Sequence, residues 1–262
     1  MTDYQTITLE QSGPVARITL NRPEAANGMN GTMTRELADA AARCDTPATK
    51  VVVLTGAGRF FCAGGDLKDF ASAPSRGQHV KGVADDLHRA ISSFARMDAV
   101  VITVVNGTAA GAGFSLAVSG DLVLAAESAS FTMAYTKVGL SPDGSASYYL
   151  PRLIGIVKTK QLMLTNRVLS ADEASRWGLV TEVVADDELA ARADALAGQM
   201  AATAAGSNGG VKALLLDTFS NGLEQQMELE GRLIAQRAES ADGREGVDAF
   251  LAKRKPEFSP GG

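Results

Sequence analysis

The chain contains 262 residues, of which 45% are hydrophobic and 21% are charged, as in an ordinary globular protein. Its 25 basic and 30 acidic side chains give a formal net charge of −5, which argues against the basic surface of a nucleic-acid-binding protein. Two cysteines, Cys44 and Cys62, are too few for a disulfide scaffold, and no apolar stretch reaches the roughly 18 residues of a membrane span. The first residues also lack the pattern of a signal peptide. We therefore expect a cytoplasmic protein with neither a nucleic-acid nor a membrane partner.

Short β-branched runs alternate with helical patterns along the first two thirds of the chain. In chain order we predict a strand over Val15–Leu20, a helix over Thr32–Ala42, a strand over Lys50–Thr55, a helix over Val83–Phe94, strands over Val100–Val105 and Asp121–Ala125, helices over Ser145–Leu153 and Ser170–Trp177, and a strand over Leu179–Val184. The last of these helices opens on a capping box formed by Ser170 and Glu173. Because the strands are almost continuously apolar, we expect an α/β sheet that is buried on both faces.

The last third of the chain has a different character. The pattern from Asp187 to Ala252 is almost wholly helical and rich in Ala, Leu, Glu and Arg. Within it, the glycine-containing run Ala201–Gly210 predicts a turn or hinge. We therefore predict two parts, an α/β core over residues 1–190 and a helical C-terminal segment over residues 191–262.

Two glycine-rich loops stand out as candidate ligand-binding segments. One spans Gly56–Leu67 and the other Asn106–Gly113, and each follows a predicted buried strand. Glycines let backbone N–H groups approach a ligand closely, and two converging N–H groups form an oxyanion hole. Either loop alone could equally be a tight turn between a strand and a helix. Their occurrence after successive strands favours a binding site.

Several other types of site are disfavoured. The segment Gly111–Gly113 begins like a dinucleotide-binding loop, but the third glycine of that motif is missing. No serine lies in a Gly-x-Ser-x-Gly nucleophile elbow. Only two histidines, His79 and His88, are present, so we expect no metal site.

The sequence resembles the crotonase superfamily of enoyl-CoA hydratases and isomerases, from about Thr6 to Phe258. The blocks that carry the resemblance are Asn21–Glu24, Phe61–Leu67, Asn106–Gly113, Ala171–Val180 and Gly243–Phe250. The resemblance implies an α/β spiral of ββα units with a helical C-terminal trimerisation segment, assembled as a homotrimer or a dimer of trimers. It also implies an acyl-CoA substrate and no separate cofactor, because coenzyme A is part of that substrate.

The resemblance further assigns the two oxyanion-hole donors to the backbone N–H groups of Gly65 and Ala112. Many relatives have a glycine at the position of Ala112, but alanine keeps the backbone donor. The hydratases use two glutamates, whose positions correspond here to Ser115 and Tyr135. Neither a serine hydroxyl nor a tyrosine, with an ordinary pKa of about 10, can act as a carboxylate base near neutral pH.

Asp143 is the remaining candidate for acid–base catalysis. It lies in Gly139–Gly144, whose Leu-Ser-Pro-Asp pattern is similar to that of the isomerases of phenylacetate breakdown, in which the matching aspartate shuttles a proton. This resemblance implies a double-bond isomerase. From the residues alone, Asp143 could also be an ordinary turn or N-cap aspartate.

Three alternatives remain open at this stage. The first is a hydratase or hydrolase in which Asp143 acts with an unconventionally bound water molecule. The second is an aryl-CoA dehalogenase, because His88 matches the histidine that activates water in those relatives, although a structural role for His88 is favoured. The third is a protein that binds CoA esters without catalysis.

The resemblance also assigns contacts with the substrate beyond the catalytic residues Asp143, Gly65 and Ala112. The substrate-binding residues are Ala63, Gly64, Asp66, Leu67, Lys68, His88, Gly111, Ser115, Tyr135 and Phe258. Residues assigned to the nucleotide part of coenzyme A are Ala25, Ala26 and Lys253. We expect Asp66 to stabilise its loop, whereas solvated charges are an equal alternative for each lysine.

Overall fold

The computed structural model describes residues 4–259 and contains two β-sheets. The larger sheet has the order β1-β2-β3-β5-β7-β10, and its strands are β1 (Ile7–Ser12), β2 (Val15–Leu20), β3 (Val51–Gly56), β5 (Val100–Val105), β7 (Leu122–Ala126) and β10 (Glu182–Val184). The smaller sheet has the order β4-β6-β8-β9, and its strands are β4 (Phe60–Cys62), β6 (Thr108–Ala110), β8 (Ser130–Thr132) and β9 (Leu169–Ser170). All neighbouring strands are parallel except β1–β2 and β8–β9.

Helices follow the strands in a repeating order. They are α1 (Gly31–Cys44), α2 (Leu67–Ser72), α3 (Arg76–Arg96), α4 (Ala112–Ala117), α5 (Ala146–Thr165), α6 (Ala171–Trp177), α7 (Leu189–Ala201), α8 (Ala205–Asp217), α9 (Leu223–Glu239) and α10 (Ala241–Leu251). Three successive units, β3–β4, β5–β6 and β7–β8, each place one strand in each sheet and then continue into a helix. The predicted spiral of ββα units is therefore confirmed, as is the helical C-terminal segment. Residues 1–3 and 260–262 of the two predicted parts lie outside the described residues.

The five predicted strands all belong to the larger sheet. In β5 every residue is buried, and in β3 only Thr55 is partly exposed, as expected for strands covered on both faces. The prediction for the last strand was too long at its N-terminal end. The N–H of Leu179 closes the last turn of α6 on the carbonyl of Ala174, at 2.9 Å, so β10 begins only at Glu182.

Two helical predictions need correction. The hydroxyl of Ser170 accepts from the N–H of Glu173 at 3.2 Å, but the Glu173 carboxylate binds Arg167, so only half of the capping box forms. The turn predicted within Ala201–Gly210 is present but short, because α7 ends at Ala201 and α8 begins at Ala205, so the rest of the run is helical. A Cβ on Gly209 would lie 1.8 Å from Oδ1 of Asp98, so this glycine provides close packing inside a helix.

The C-terminal helices differ in how many of their side chains are buried in the single chain. Helix α7 packs Leu189, Ala193, Leu196 and Ala197 into the main core, whereas α9 has no buried residue in the single chain. Among residues 4–259, no helix is long and apolar enough to cross a membrane.

Candidate active site

Two glycine-containing loops lie side by side at the carboxyl ends of two strands of the smaller sheet. Gly64 and Gly65 follow β4, and Gly111 and Ala112 follow β6, which pairs with β4 in parallel. A Cβ on Gly64, whose φ is +98°, would lie 2.9 Å from the carbonyl oxygen of Ala110 and 3.4 Å from the nitrogen of Ala112. Glycine is therefore required at position 64 for the two loops to lie side by side.

Each loop presents one backbone N–H without a partner. Met29 holds the first loop through two backbone hydrogen bonds. Its N–H donates to the carbonyl of Gly64 at 2.7 Å, and its carbonyl accepts from the N–H of Asp66 at 2.9 Å. Gly65 lies between these two partners, and its own N–H is not used in either bond. Ala112 is the first residue of α4, where a helix leaves its N–H groups unpaired. Within residues 4–259, neither N–H donates to a protein acceptor. Both residues line the same cavity.

The predicted loops Gly56–Leu67 and Asn106–Gly113 do follow β3 and β5, but the sequence analysis missed a short strand inside each of them. Strand β4 lies within the first predicted loop and β6 within the second, so the residues that reach the cavity come after these short strands. A strand of three residues is too short to show a hydrophobic period in the sequence, so the sequence cannot reveal it. Such a strand forms because it pairs with a neighbouring strand.

The cavity between the two loops has a volume of about 450 Å³. Apolar side chains form most of its wall: Met29, Leu67, Phe70, Val80, Val83, Leu87, Val138 and Leu140. The α3 members of the wall recur at helical spacing, so sequence reasoning could identify an amphipathic face but not the cavity it lines. The wall is suited to an apolar part of a ligand.

Asp143 contributes a carboxylate to this cavity. It lies between the 3₁₀ turn Tyr135–Val138 and α5, and its Oδ1 accepts a hydrogen bond from the hydroxyl of Tyr135 at 2.6 Å. The N-cap residue of α5 is Ser145, and no backbone N–H within residues 4–259 donates to the Asp143 carboxylate. The carboxylate therefore caps no helix, which removes the N-cap part of the alternative that the sequence left open, although Asp143 does lie in a turn.

Ser115 and Tyr135 both contact Asp143. Ser115 is fully buried and, contrary to its assignment to the substrate, does not line the cavity; its hydroxyl donates to the backbone carbonyl of Asp143 at 2.9 Å. Burial and the neighbouring Asp143 carboxylate raise the pKa of Tyr135 well above its ordinary value. Tyr135 is thus a neutral hydrogen-bond donor and not a base.

His88 lies on α3 and lines the same cavity as Asp143. Its Nε2 accepts a hydrogen bond from the backbone N–H of Gly144 at 3.1 Å. A ring nitrogen that accepts this bond carries no proton, so the neutral imidazole has its proton on Nδ1. His88 is therefore engaged with the turn that carries Asp143.

The remaining residues of the first loop lie beside the cavity. Asp66 accepts from the N–H groups of Lys68 and Asp69 at the start of α2 and pairs with Arg22 at 3.0 Å. Burial opposes ionisation of Asp66, but the Asp69 N–H and the Arg22 guanidinium together keep its pKa below the ordinary value. Asp66 thus has the loop-stabilising contacts that the sequence led us to expect, and neither it nor Lys68 lines the cavity.

Two alanines assigned to the nucleotide also adjoin the first loop. Ala25 ends a 3₁₀ turn that begins at Pro23, and the carbonyl of Ala26 accepts from the N–H of Ala63 at 3.0 Å. Neither alanine lines the cavity. They place a surface segment next to the loop that contains Gly65.

The structure does not bring the C-terminal residues to this site within one chain. The carbonyl of Phe258 accepts from Nζ of Lys50 at 2.9 Å, and Lys50 immediately precedes β3. Because the glycine-rich loops lie beyond the other end of β3, Phe258 is at the opposite end of the sheet from the cavity. Lys253 is exposed just after α10.

The structure thus unites nine of the assigned residues around one cavity: Ala63, Gly64, Gly65, Leu67, His88, Gly111, Ala112, Tyr135 and Asp143. Among residues 4–259, no group of three His, Cys, Asp or Glu side chains is placed to hold a metal ion. Two unpartnered N–H donors, one carboxylate and an apolar wall can polarise a carbonyl and move a proton on an adjacent carbon.

Known proteins resemble this chain over nearly its whole length. The sequence model of a family described as enoyl-CoA hydratase/isomerase matches residues 10–261. A 1,2-epoxyphenylacetyl-CoA isomerase from Escherichia coli is 41% identical over 251 residues, covering 94% of this chain and 95% of that protein. A probable enoyl-CoA hydratase from Rhodobacter capsulatus is 39% identical over 257 residues, covering 98% of each. The crystal structure of an enoyl-CoA hydratase from Bacillus anthracis has a TM-score of 0.92 at 31% identity, covering 98% of this chain and 100% of that one.

Proposed function

The chain belongs to the enoyl-CoA hydratase/isomerase family, and we propose that it converts 3-enoyl-CoA thioesters to 2-enoyl-CoA thioesters with Asp143 as the proton carrier. The observation that carries this proposal is that, among the described residues 4–259, Asp143 supplies the single carboxylate of the cavity that contains the free N–H groups of Gly65 and Ala112. The similarity to the relative from Escherichia coli that is named an isomerase also supports an isomerase function.

In the proposed reaction, the thioester oxygen accepts hydrogen bonds from Gly65 and Ala112. Asp143 removes a proton from C2, and the electron pair of that C–H bond spreads over C2, C4 and the thioester oxygen as a dienolate. The two N–H groups stabilise the negative charge that develops on the oxygen. Asp143 then returns the proton to C4, which leaves the double bond between C2 and C3. One carboxylate is sufficient, because the proton leaves and returns within the same bound molecule.

The contacts of Ser115 and Tyr135 favour isomerisation over hydration. Hydration needs groups that hold and activate water, but both hydroxyls already donate to Asp143. The Nε2 of His88 is likewise engaged with Gly144, which disfavours its use as the base of a hydrolytic or dehalogenating reaction.

Coenzyme A enters as part of the substrate, and no separate cofactor is needed. Ala25, Ala26 and Lys68 lie beside the first loop, where the nucleotide leaves the cavity. Phe258 and Lys253 serve the site of a neighbouring subunit, because neither lines the cavity of its own chain and Phe258 lies at the opposite end of the sheet.

The protein is proposed to act as a homotrimer or a dimer of trimers. Helix α9 buries no side chain in the single chain, and large apolar residues are exposed on α5, on the C-terminal helices and in the turn before α9. Prominent among them are Ile156, Val157, Phe219, Leu223, Ile234 and Phe250. Apolar surface of this extent is typical of an interface between subunits.

The proposal is tested with a panel of 3-enoyl-, 2-enoyl- and aryl-CoA thioesters. We expect formation of 2-enoyl-CoA from the 3-enoyl substrate, with slow or undetectable hydration of the 2-enoyl substrate. Deuterium from the solvent should enter C2 or C4 during the reaction. Rapid hydration without isomerisation would contradict the proposal, and binding of every thioester without turnover would favour a non-catalytic protein.

A further inference from the structure

The two hydroxyls beside Asp143 each have one proton, and the geometry shows where each proton goes. The shortest contact of the Tyr135 hydroxyl is its 2.6 Å bond to Oδ1 of Asp143. The shortest contact of the Ser115 hydroxyl is the 2.9 Å bond to the backbone carbonyl of Asp143. The two hydroxyl oxygens are themselves 3.3 Å apart. Both protons are therefore used on the same residue, one on its side chain and one on its backbone.

These contacts leave one carboxylate oxygen available. Within residues 4–259, no protein group donates to Oδ2 of Asp143, whereas Oδ1 is held by Tyr135. The Tyr135 ring lines the cavity, so the bond to Oδ1 also fixes the orientation of the carboxylate relative to a bound acyl group. A proton carrier that serves both C2 and C4 needs a fixed position between them, because small displacements of a catalytic group are costly.

We propose that Tyr135 and Ser115 are positioning residues that clamp Asp143, so that Oδ2 alone carries the substrate proton. The inference deepens the proposed isomerase function and rests on it. Tyr135 fixes the carboxylate and Ser115 fixes the backbone of the same residue. Neither hydroxyl transfers a proton to or from the substrate.

The packing around Ser115 supports a specific role for a small hydroxyl residue. A Cβ on Gly144 would lie 2.8 Å from the Cβ of Ser115, so the turn that follows Asp143 packs directly on this serine. Ser115 is also fully buried. A larger side chain at position 115 would displace the turn, and an alanine would preserve its position but lose the hydrogen bond to the Asp143 carbonyl.

The first test compares Tyr135→Phe with the matched control Tyr148→Phe. Tyr148 also donates its hydroxyl to a backbone carbonyl, that of Leu216 at 2.9 Å, but it does not line the acyl cavity. Loss of a hydrogen bond to a charged group should lower kcat of Tyr135→Phe about 10- to 100-fold. KM and the affinity for acetoacetyl-CoA should change less than about threefold, because the oxyanion donors are intact. The control should keep the wild-type kcat.

The second test asks whether Tyr135 acts through Asp143. In an Asp143→Asn background, the residual exchange of C2 hydrogen with deuterated solvent is followed by NMR. Because that variant has no carboxylate to position, adding Tyr135→Phe should change the residual rate by less than about twofold. A further 10- to 100-fold loss would show that the tyrosine acts independently, and it would overturn the proposal.

Ser115→Ala provides an independent test of the proposal if circular dichroism shows that Tyr135→Phe does not fold. We expect its kcat to fall about three- to tenfold, with unchanged acetoacetyl-CoA affinity, because the lost bond is to a neutral carbonyl. A wild-type kcat for either folded variant overturns the clamp. Absence of isomerisation in the wild-type protein would instead refute the proposed function, so the two failures are distinguishable.

Discussion

The imidazole of His88 accepts a hydrogen bond from the backbone N–H of Gly144, at 3.1 Å, and so connects helix α3 to the turn that carries Asp143. This contact connects the wall of the apolar cavity to the turn that carries the Asp143 carboxylate. It also occupies the ring nitrogen that a water-activating histidine would need.

The first prediction concerns this contact. His88→Gln retains a side-chain oxygen that can accept from Gly144, whereas His88→Leu cannot. We expect the leucine variant to lose about three- to tenfold in isomerase kcat and the glutamine variant to stay near the wild-type value. Assays of isomerisation and of chloride release from a chloroaryl-CoA check this. Equal, severe losses in both variants would indicate proton transfer by the imidazole.

The second prediction concerns Asp143 itself. Asp143→Asn keeps the size of the side chain but cannot accept the C2 proton, so the isomerisation rate should fall about 10²- to 10⁴-fold. Calorimetry should show an affinity for acetoacetyl-CoA within a few-fold of wild type. Asp85→Asn, on the outer part of α3 where Asp85 pairs with Lys81, is the matched control and should remain fully active. Near-normal turnover by Asp143→Asn would exclude its role as the base.

The third prediction concerns the first oxyanion donor. A Cβ on Gly65 would lie 2.6 Å from the ring of Phe70, so Gly65→Ala must displace either the loop or that ring. We expect at least a tenfold loss of acetoacetyl-CoA affinity, because a shifted loop no longer presents its N–H to the thioester oxygen. Gly82→Ala is the control, since nothing lies within 4 Å of its Cβ and alanine favours the helix. Equal affinities in the two variants would argue against the oxyanion hole.

The fourth prediction concerns the two thiols. Burial raises the pKa of Cys44 to about 11 and that of Cys62 to about 12, so neither thiol ionises appreciably at neutral pH. Because the thiolate is the reactive form, the native protein should react slowly with a disulfide reagent at pH 8. Both thiols should react promptly in denaturant. Fast reaction of one thiol in the native protein would show that its helix or loop opens readily.

The fifth prediction concerns assembly. Light scattering should give the mass of three or six chains at micromolar concentration. Ile234→Asp on the exposed face of α9 should shift the protein towards smaller species, because a buried unpaired charge is costly at an apolar interface. Glu228→Gln on the same helix, where Glu228 pairs with Arg232 at the surface, is the control. A monomeric wild-type protein would contradict the proposed assembly.

The sequence by itself determined the features that depend on local pattern. The β-branched runs located β2, β3, β5 and β7 within one residue of their observed bounds, because a buried parallel strand must be apolar almost throughout. The glycines of both loops were likewise identified from short motifs, since they reflect close backbone approach at single positions, whereas Asp143 was selected through the resemblance to a family.

Only the tertiary structure decided how those features combine. The strands of the smaller sheet contain two or three residues each and exist through pairing with distant segments, so no local signal marks them. Tyr135 and Ser115 are 8 and 28 positions from Asp143, and their contacts with it arise from the packing of three separate segments. The apolar cavity wall looks like ordinary core in the sequence, because hydrophobic periodicity records which face is buried and not what that face surrounds.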